Sequence, residues 1–112
     1  MTTINGPVIE AGESLSDAID CSSGVIVRLT MPTDWTPANL TFQVSSDGVD
    51  YNDLYNTKGE EITLRNIVPG SSVVLLEPLT HSFGFLKIRS GTRDYPVAQD
   101  ARREFAVTVE TQ

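Results

Sequence analysis

The sequence predicts an all-β protein: a single-domain antiparallel β-sandwich or jelly roll. Short β-rich segments recur at intervals of about ten residues, and turn-forming residues separate them. No segment keeps a helical spacing of apolar residues for three turns. Many short strands without an amphipathic helix are typical of two-layer β domains.

The clearest local pattern is a predicted β-hairpin over residues 40–54. Leu40, Phe42 and Val44 alternate with polar residues, an Asp-Gly turn follows, and Tyr51 and Leu54 return along a second strand. Alternation places every second side chain on one face, so these apolar residues are expected to face the core.

Other segments supply the remaining strands in chain order. Residues 7–13 predict a first strand, and residues 14–20 fit either a strand or one helical turn. Residues 24–31 are rich in β-branched residues, which favours a central strand packed on both faces, and Pro32 ends it. Further strands are expected over four segments: 62–64, 72–76, 84–89 and 104–109.

Length and composition favour one domain spanning residues 1–112, with residues 1–7 as a candidate N-terminal arm. A chain of 112 residues, 21% charged and 39% hydrophobic, is large enough for one core. Its glycines and prolines are dispersed, which argues against an internal linker.

Charge limits the classes of partner. Fifteen acidic and eight basic residues give a net charge of −7, which repels nucleic acid and anionic membranes. No apolar run approaches the roughly 20 residues that span a bilayer, and no export signal is expected at the N-terminus. The single cysteine, Cys21, excludes an intramolecular disulfide; it is interpreted as a small packed residue, with a bond to a neighbouring subunit as the alternative.

No enzymatic motif stands out, so we expect no catalytic residues and no cofactor. The single histidine, His81, lacks a nucleophile-elbow sequence and is interpreted as a loop residue. Asp47, Asp50 and Asp53 recur around the hairpin turn, but their spacing is not that of an EF-hand. Solvated turn acids explain them without a metal, and no metal site is predicted.

Trp35 lies in a loop between Pro32 and Pro37. A large aromatic side chain there either plugs the end of the core or stays exposed for a partner. The plug is favoured. If Trp35 is exposed with Tyr51 or Tyr55, these rings are suited to stack on a sugar or to form an interface hot spot.

Two family resemblances add to these patterns. The Ser46-Asp47-Gly48 turn, Tyr51 and the strand over residues 85–89 resemble discoidin or galactose-binding-like β-sandwiches, which implies glycan binding. Residues 8–20, 31–43 and 86–92 are similar to small proteins of tailed bacteriophages and prophages, which implies a virion component.

The resulting expectation is a non-enzymatic structural protein of a bacteriophage particle that docks onto capsid, neck or tail subunits and repeats as a homo-oligomer. It is expected to assemble in the host bacterial cytoplasm and to reside in the virion. The alternative is a carbohydrate-binding module on an exposed fibre or decoration, and a soluble adaptor of the infected cell is a third reading. The candidate contacts to a partner or glycan are Trp35, Tyr51, Tyr55, Phe105 and Val107.

Overall fold

The protein is an antiparallel β-sandwich of two four-stranded sheets. A computed structural model describes residues 2–22, 24–65, 67–75 and 84–111. The strands in chain order are β1 (Thr2–Ile9), β2 (Ile19–Asp20), β3 (Gly24–Thr30), β4 (Leu40–Ser45), β5 (Asn52–Asp53), β6 (Ser72–Val74), β7 (Phe85–Ser90) and β8 (Arg103–Thr111).

The strand order is that of a jelly roll. Sheet A has the order β1-β8-β3-β6, and sheet B has the order β2-β7-β4-β5. The antiparallel pairs β1 with β8, β2 with β7, β3 with β6, and β4 with β5 form one long ribbon folded over on itself. This pairing is the double Greek key of jelly-roll domains, so the predicted fold class is confirmed.

Alternation along the strands builds the core between the sheets. Ile26 and Leu29 of β3, Phe42 of β4 and Ile88 of β7 point inward and are almost completely buried. β3 lies between β8 and β6, which confirms an inner strand, but it is packed on one face only, because Arg28 on its outward face is exposed. Burying such apolar side chains stabilises the fold by about 2 kcal/mol each.

Three strand predictions need correction in their bounds or kind. The first strand runs from Thr2 to Ile9, so residues 10–13 of the predicted strand lie outside it. Residues 2–7 belong to β1 instead of forming an arm, and residues 2–5 pair with β8. Residues 14–20 contain no helical turn; Leu15 forms a single bridge with Arg89, and β2 follows. Residues 62–64 are not a strand, since only Leu64 bridges Leu40.

The remaining strand predictions agree more closely. The hairpin is confirmed, although its strands pair through Gln43 with Asp53 and Val44 with Asn52, so its loop is longer than an Asp-Gly turn. β6, β7 and β8 match three predicted segments within a few residues. Leu76, which was placed at the end of β6, and the predicted loop residue His81 both lie outside the described residues.

Candidate docking surface

The five predicted contact residues divide into a buried group and an exposed group. Trp35, Phe105 and Val107 are buried in the core, with at most 6% of their surface exposed. Tyr51 is half-buried and Tyr55 is 41% exposed. Only the two tyrosines are therefore placed to touch a partner, and the prediction that the other three do so is wrong.

Trp35 plugs one end of the core, as the favoured interpretation expected. Its ring meets the ring of Phe105 edge-on, with centroids 5.5 Å apart and an interplanar angle of 67°. Its indole N–H donates to the carbonyl of Ala38 at 3.2 Å, which satisfies the one polar atom of the side chain. A buried and hydrogen-bonded Trp35 cannot stack on a sugar.

Phe105 and Val107 are buried because they lie on the face of β8 that packs into the core. β8 pairs with β1 on one side and with β3 on the other, which excludes its backbone from further pairing. Val107 lies opposite Ile4 and Leu29 in the two ladders, and all three belong to the core or pack against it. The alternate positions of β8 point outward instead.

All three tyrosines of the chain are half-buried or exposed, and two of them, Tyr51 and Tyr55, each contact a cationic side chain. We call Tyr51, Tyr55, Lys87 and Arg93 the tyrosine face. Sheet pairing explains part of it, because Lys87 lies opposite Gln43, which lies opposite Asp53, on the outer side of sheet B. Tyrosine and arginine are the residue types that most often carry binding energy at protein interfaces.

The first part of this face is a cation–π pair. The ammonium nitrogen of Lys87 lies 4.4 Å from the centre of the Tyr51 ring. Such a contact fixes the orientation of both side chains and contributes about 0.5–1 kcal/mol. Tyr51 therefore presents a pre-oriented ring at the end of the hairpin loop, on the outer side of sheet B. The expectation that it faces the core is wrong, whereas Leu54 does pack against the core.

The hairpin loop before Tyr51 is held by Asp47. Its carboxylate accepts hydrogen bonds from the backbone N–H groups of Val49 and Asp50 and from the hydroxyl of Ser45, at 2.8–3.0 Å. These bonds, the one from Asp50 foremost, hold the pKa of Asp47 below its ordinary value. The Asp47 carboxylate is occupied in ordering the turn, which agrees with its interpretation as a turn acid.

A close approach within the loop explains Gly48. Its φ of +79° lies in the left-handed region, and a Cβ there would stand 3.2 Å from the Phe85 ring. Glycine is the residue that takes this conformation without strain. The loop consequently packs against β7, beside the Tyr51 and Lys87 pair.

Beneath the tyrosine face lies a buried ionic cluster centred on Arg89. Its guanidinium binds the carboxylate of Asp53 and, at 3.1 Å, that of Glu61, and it also donates to the hydroxyl of Thr41. Gln43 donates a further hydrogen bond to Asp53 at 3.2 Å. The cluster ties β4, β5 and β7 to the turn around residue 60.

The electrostatics of this cluster favour the charged forms. Burial raises the pKa of Asp53, but hydrogen bonds from Arg89 and Gln43 and the charges of Arg89 and Arg93 lower it more, so its pKa is below the ordinary value. The Asp53 carboxylate is partly desolvated and is bound by Arg89, Arg93 and Gln43, which together fix its position. The base of the tyrosine face is therefore rigid.

Tyr55 and Arg93 continue the face beyond the cluster. Hydrogen bonding to Tyr55, followed by nearby charges, raises the pKa of the Arg93 guanidinium. Arg93 also lies 3.7 Å from a carboxylate oxygen of Asp53, and its backbone N–H donates to Glu61. Arg93 thus links the exposed Tyr55 to the buried Arg89 cluster.

Tyr95 is the most exposed aromatic side chain in the described residues, at 80%. It lies in a tight turn in which Thr92 and Tyr95 exchange backbone hydrogen bonds at 3.1 and 3.2 Å. Nothing in the sequence marks Tyr95 as a contact residue, since one tyrosine in a turn carries no pattern. Only the closed turn, bridged at its base by Gly91 and Pro96, reveals a ring held out in solvent.

Other parts of the described chain offer weaker sites. No group of three or more His, Cys, Asp or Glu residues in it could hold a metal ion. Cys21 is buried, in agreement with its interpretation as a packed residue. One shallow, open groove is lined by Gly12, Glu13, Ser14, Leu15, Pro96 and Ala98.

Comparison with known proteins identifies no relative of this chain. No protein-family model, no curated protein and no solved structure matches this chain. The part of the chain that the structure describes contains no helix of the length and apolar character needed to cross a bilayer.

Proposed function

We propose that this chain is a non-enzymatic structural protein of a bacteriophage particle, a capsid decoration protein or else a neck or tail component. It docks onto other virion subunits through the tyrosine face. The observation that carries the proposal is that half-buried Tyr51 and exposed Tyr55 each contact a cation beside the buried ionic cluster of Arg89. Rigid aromatic anchors lose little entropy on binding, which favours protein docking.

The virion assignment is supported by the sequence resemblance and by fold analogy. The segments similar to phage proteins, residues 8–20, 31–43 and 86–92, supply the Trp35 plug and much of the framework of sheet B. Jelly rolls are common in viral capsid proteins, although a shared fold is only an analogy for function. Assembly takes place in the host cytoplasm, and the finished protein resides in the virion.

The first experiment counts the chain in purified particles made from the genome that encodes it. Quantitative mass spectrometry gives the ratio of this chain to the major capsid protein. A ratio equal to a simple fraction of the capsid lattice supports a head decoration, and a few copies support a neck or tail position. Absence from clean particles contradicts the proposal and favours the adaptor of the infected cell.

The second experiment tests the surface. Tyr51→Ala combined with Tyr55→Ala should reduce binding to particles lacking the chain by at least about a hundredfold, which corresponds to the loss of two interface anchors. Val74→Ser is the matched control, because Val74 is 70% exposed on the opposite sheet. If the control weakens binding and the tyrosine variant does not, docking uses the other sheet.

Glycan binding is the second candidate, and the same exposed rings favour it. Tyr55 with Arg93, and Tyr95 nearby in sequence, offer aromatic surface beside a hydrogen-bond donor, which suits a sugar ring and its hydroxyls. Trp35 takes no part in such a site, because it is buried. A glycan array with the parent protein and Tyr95→Ala distinguishes the candidates, because a specific sugar signal lost in the variant favours the module.

A further inference from the structure

The outer edge of β1 is the longest open sheet edge in the described part of the molecule. β1 covers eight residues and pairs only with β8. The other edge strands, β2, β5 and β6, cover two, two and three residues. An edge strand exposes backbone N–H and C=O groups that another strand can pair with, and longer edges present more of them.

The second half of this edge is protected. The N–H of Val8 donates to the carboxylate of Asp17 at 2.8 Å, and the N–H of Asp17 donates to the carbonyl of Val8 at 3.0 Å. Pro7 has no N–H to offer, and the register with β8 shifts between Asn5 and Val8. These are the usual devices that prevent edge pairing.

The first half of the edge, residues 2–5, carries none of these devices. No backbone hydrogen bond to its outer side is formed within the described chain, and its side chains, Thr2, Thr3, Ile4 and Asn5, are uncharged. Ile4 packs against the core, while Thr3 lies on the outer side of sheet A opposite Thr108. The backbone here is held in strand geometry with one side unpaired.

We propose that a second copy of this chain pairs with residues 2–5, antiparallel, about a two-fold axis close to Thr3. An antiparallel strand edge is self-complementary, because a two-fold axis matches each donor with an acceptor. Thr3 then faces Thr3 of the other copy, and cross-strand threonine pairs are favourable. The two A sheets join into one continuous sheet.

The uncharged β1 edge keeps the repulsion between two copies small at this place and in this direction. Copies with a net charge of −7 repel one another, and β1 has no charged side chain along its whole length. Antiparallel pairing places the two Asp17 carboxylates at opposite ends, roughly 30 Å apart at about 3.4 Å per residue. That distance exceeds the screening length of roughly 8 Å in physiological salt, so their repulsion is small.

The pairing is a property of the purified chain and does not depend on a virion. Its failure leaves the docking proposal intact, and failure of virion docking leaves the pairing intact. If both hold, each dimer carries two tyrosine faces. Two weak contacts on one particle then act together with much higher avidity.

Sedimentation equilibrium of the full chain with a C-terminal tag, up to about millimolar concentration, tests the pairing. We expect a reversible dimer whose association constant falls at least about tenfold in Thr3→Lys, which sets like charges opposite each other. Thr57→Lys adds the same charge in an exposed turn and should leave the association unchanged. A chain that stays monomeric throughout, or a dimer insensitive to Thr3→Lys, overturns the proposal.

Two single proline variants separate the loss of pairing from the loss of the fold. Neighbouring residues of a strand direct their N–H groups to opposite sides, so one of Thr3→Pro and Ile4→Pro removes an outward donor and the other a donor to β8. The variant that keeps the melting temperature of the parent should lose the dimer. If that variant dimerises like the parent, the partner copy binds elsewhere and the proposal is wrong.

Discussion

The two outer faces of this sandwich differ in charge: the paired outward residues of sheet A are mostly uncharged, and sheet B carries an ionic cluster. Across sheet A, the outward partners form two rows, Thr3, Thr108, Arg28 and Val74, then Asn5, Ala106, Thr30 and Ser72. Only Arg28 in these rows is charged. Sheet B instead carries the Arg89 cluster with the tyrosine face above it.

The difference shows two ways in which a sheet can offer a binding surface. Sheet B offers side chains on its outer face, and sheet A offers the backbone of its edge strand. On sheet B, the charges pair with one another and fix the tyrosines, so recognition is built from side chains. On sheet A, small uncharged side chains leave the backbone of β1 approachable, so recognition is built from the strand edge. Arg89 and Arg28 are matched probes, since each lies on the outward side of an inner strand.

Arg89→Met should have the largest effect on stability. It leaves Asp53 and Glu61 together without their cation, and their side chains are only 20% and 14% exposed. We expect the free energy of unfolding to fall by about 3 kcal/mol, measured by urea denaturation. Arg102→Met, which breaks an exposed pair with Glu104, is the control and should change it by less than about 0.5 kcal/mol. Equal losses in both variants contradict a buried cluster.

Asp53→Asn should destabilise the protein at pH 7 by about 2 kcal/mol, since it removes a charged hydrogen-bond acceptor of Arg89. The folded-state pKa of Asp53 is lowered from 3.8, so its ionisation stabilises the fold above that pH. This contribution is lost as pH falls through the lower folded-state pKa. Stability curves of the two proteins should therefore converge below about pH 4. A constant gap down to low pH argues against Asp53 as the source.

Tyr51→Ala should cost about 1 kcal/mol through the cation–π contact and lost packing with Lys87. A double-mutant cycle with Lys87→Met measures the coupling between the two side chains, expected near 0.5 kcal/mol. Additive losses, with no coupling, mean that the pair does not orient Tyr51. The tyrosine face is then less pre-organised than proposed.

Arg28→Met should have the smallest effect, a change in unfolding free energy within about 0.5 kcal/mol. Arg28 is exposed, and its guanidinium donates a hydrogen bond to the hydroxyl of Thr108 at 3.3 Å. The ratio of this loss to that of Arg89→Met is the quantity that tests the contrast between the sheets. A loss as large as that of Arg89→Met would mean that sheet A also depends on a fixed ionic contact.

Local patterns identified the strands more reliably than the surfaces. The β-branched run of β3 and the alternation of β4 act within one strand, so the sequence is sufficient to predict them. Residues 62–64 show the limit of this reasoning. They are apolar and extended, but only one bridge to Leu40 forms, and strand identity depends on a partner along the whole segment.

The outward face of β4 shows a second limit. Alternation places Thr41 and Ser45 outside the core, yet both are buried, because Arg89 and the hairpin loop cover them. A polar residue on a strand gives no sign of whether another segment will cover it. Arg89 itself alternates with Leu86 and Ile88 like any surface cation.

The sequence by itself determined the all-β class, the central position of β3, the hairpin and the role of Trp35 as a plug, because each depends on local periodicity or on the cost of exposing a large ring. The tertiary structure alone decided that Phe105 and Val107 are core residues, that Tyr51, Tyr55 and Tyr95 are the available rings, and that β1 keeps an open edge. Those outcomes depend on which strands become neighbours. Pairing between distant segments, such as β1 with β8, leaves no signature in either segment alone.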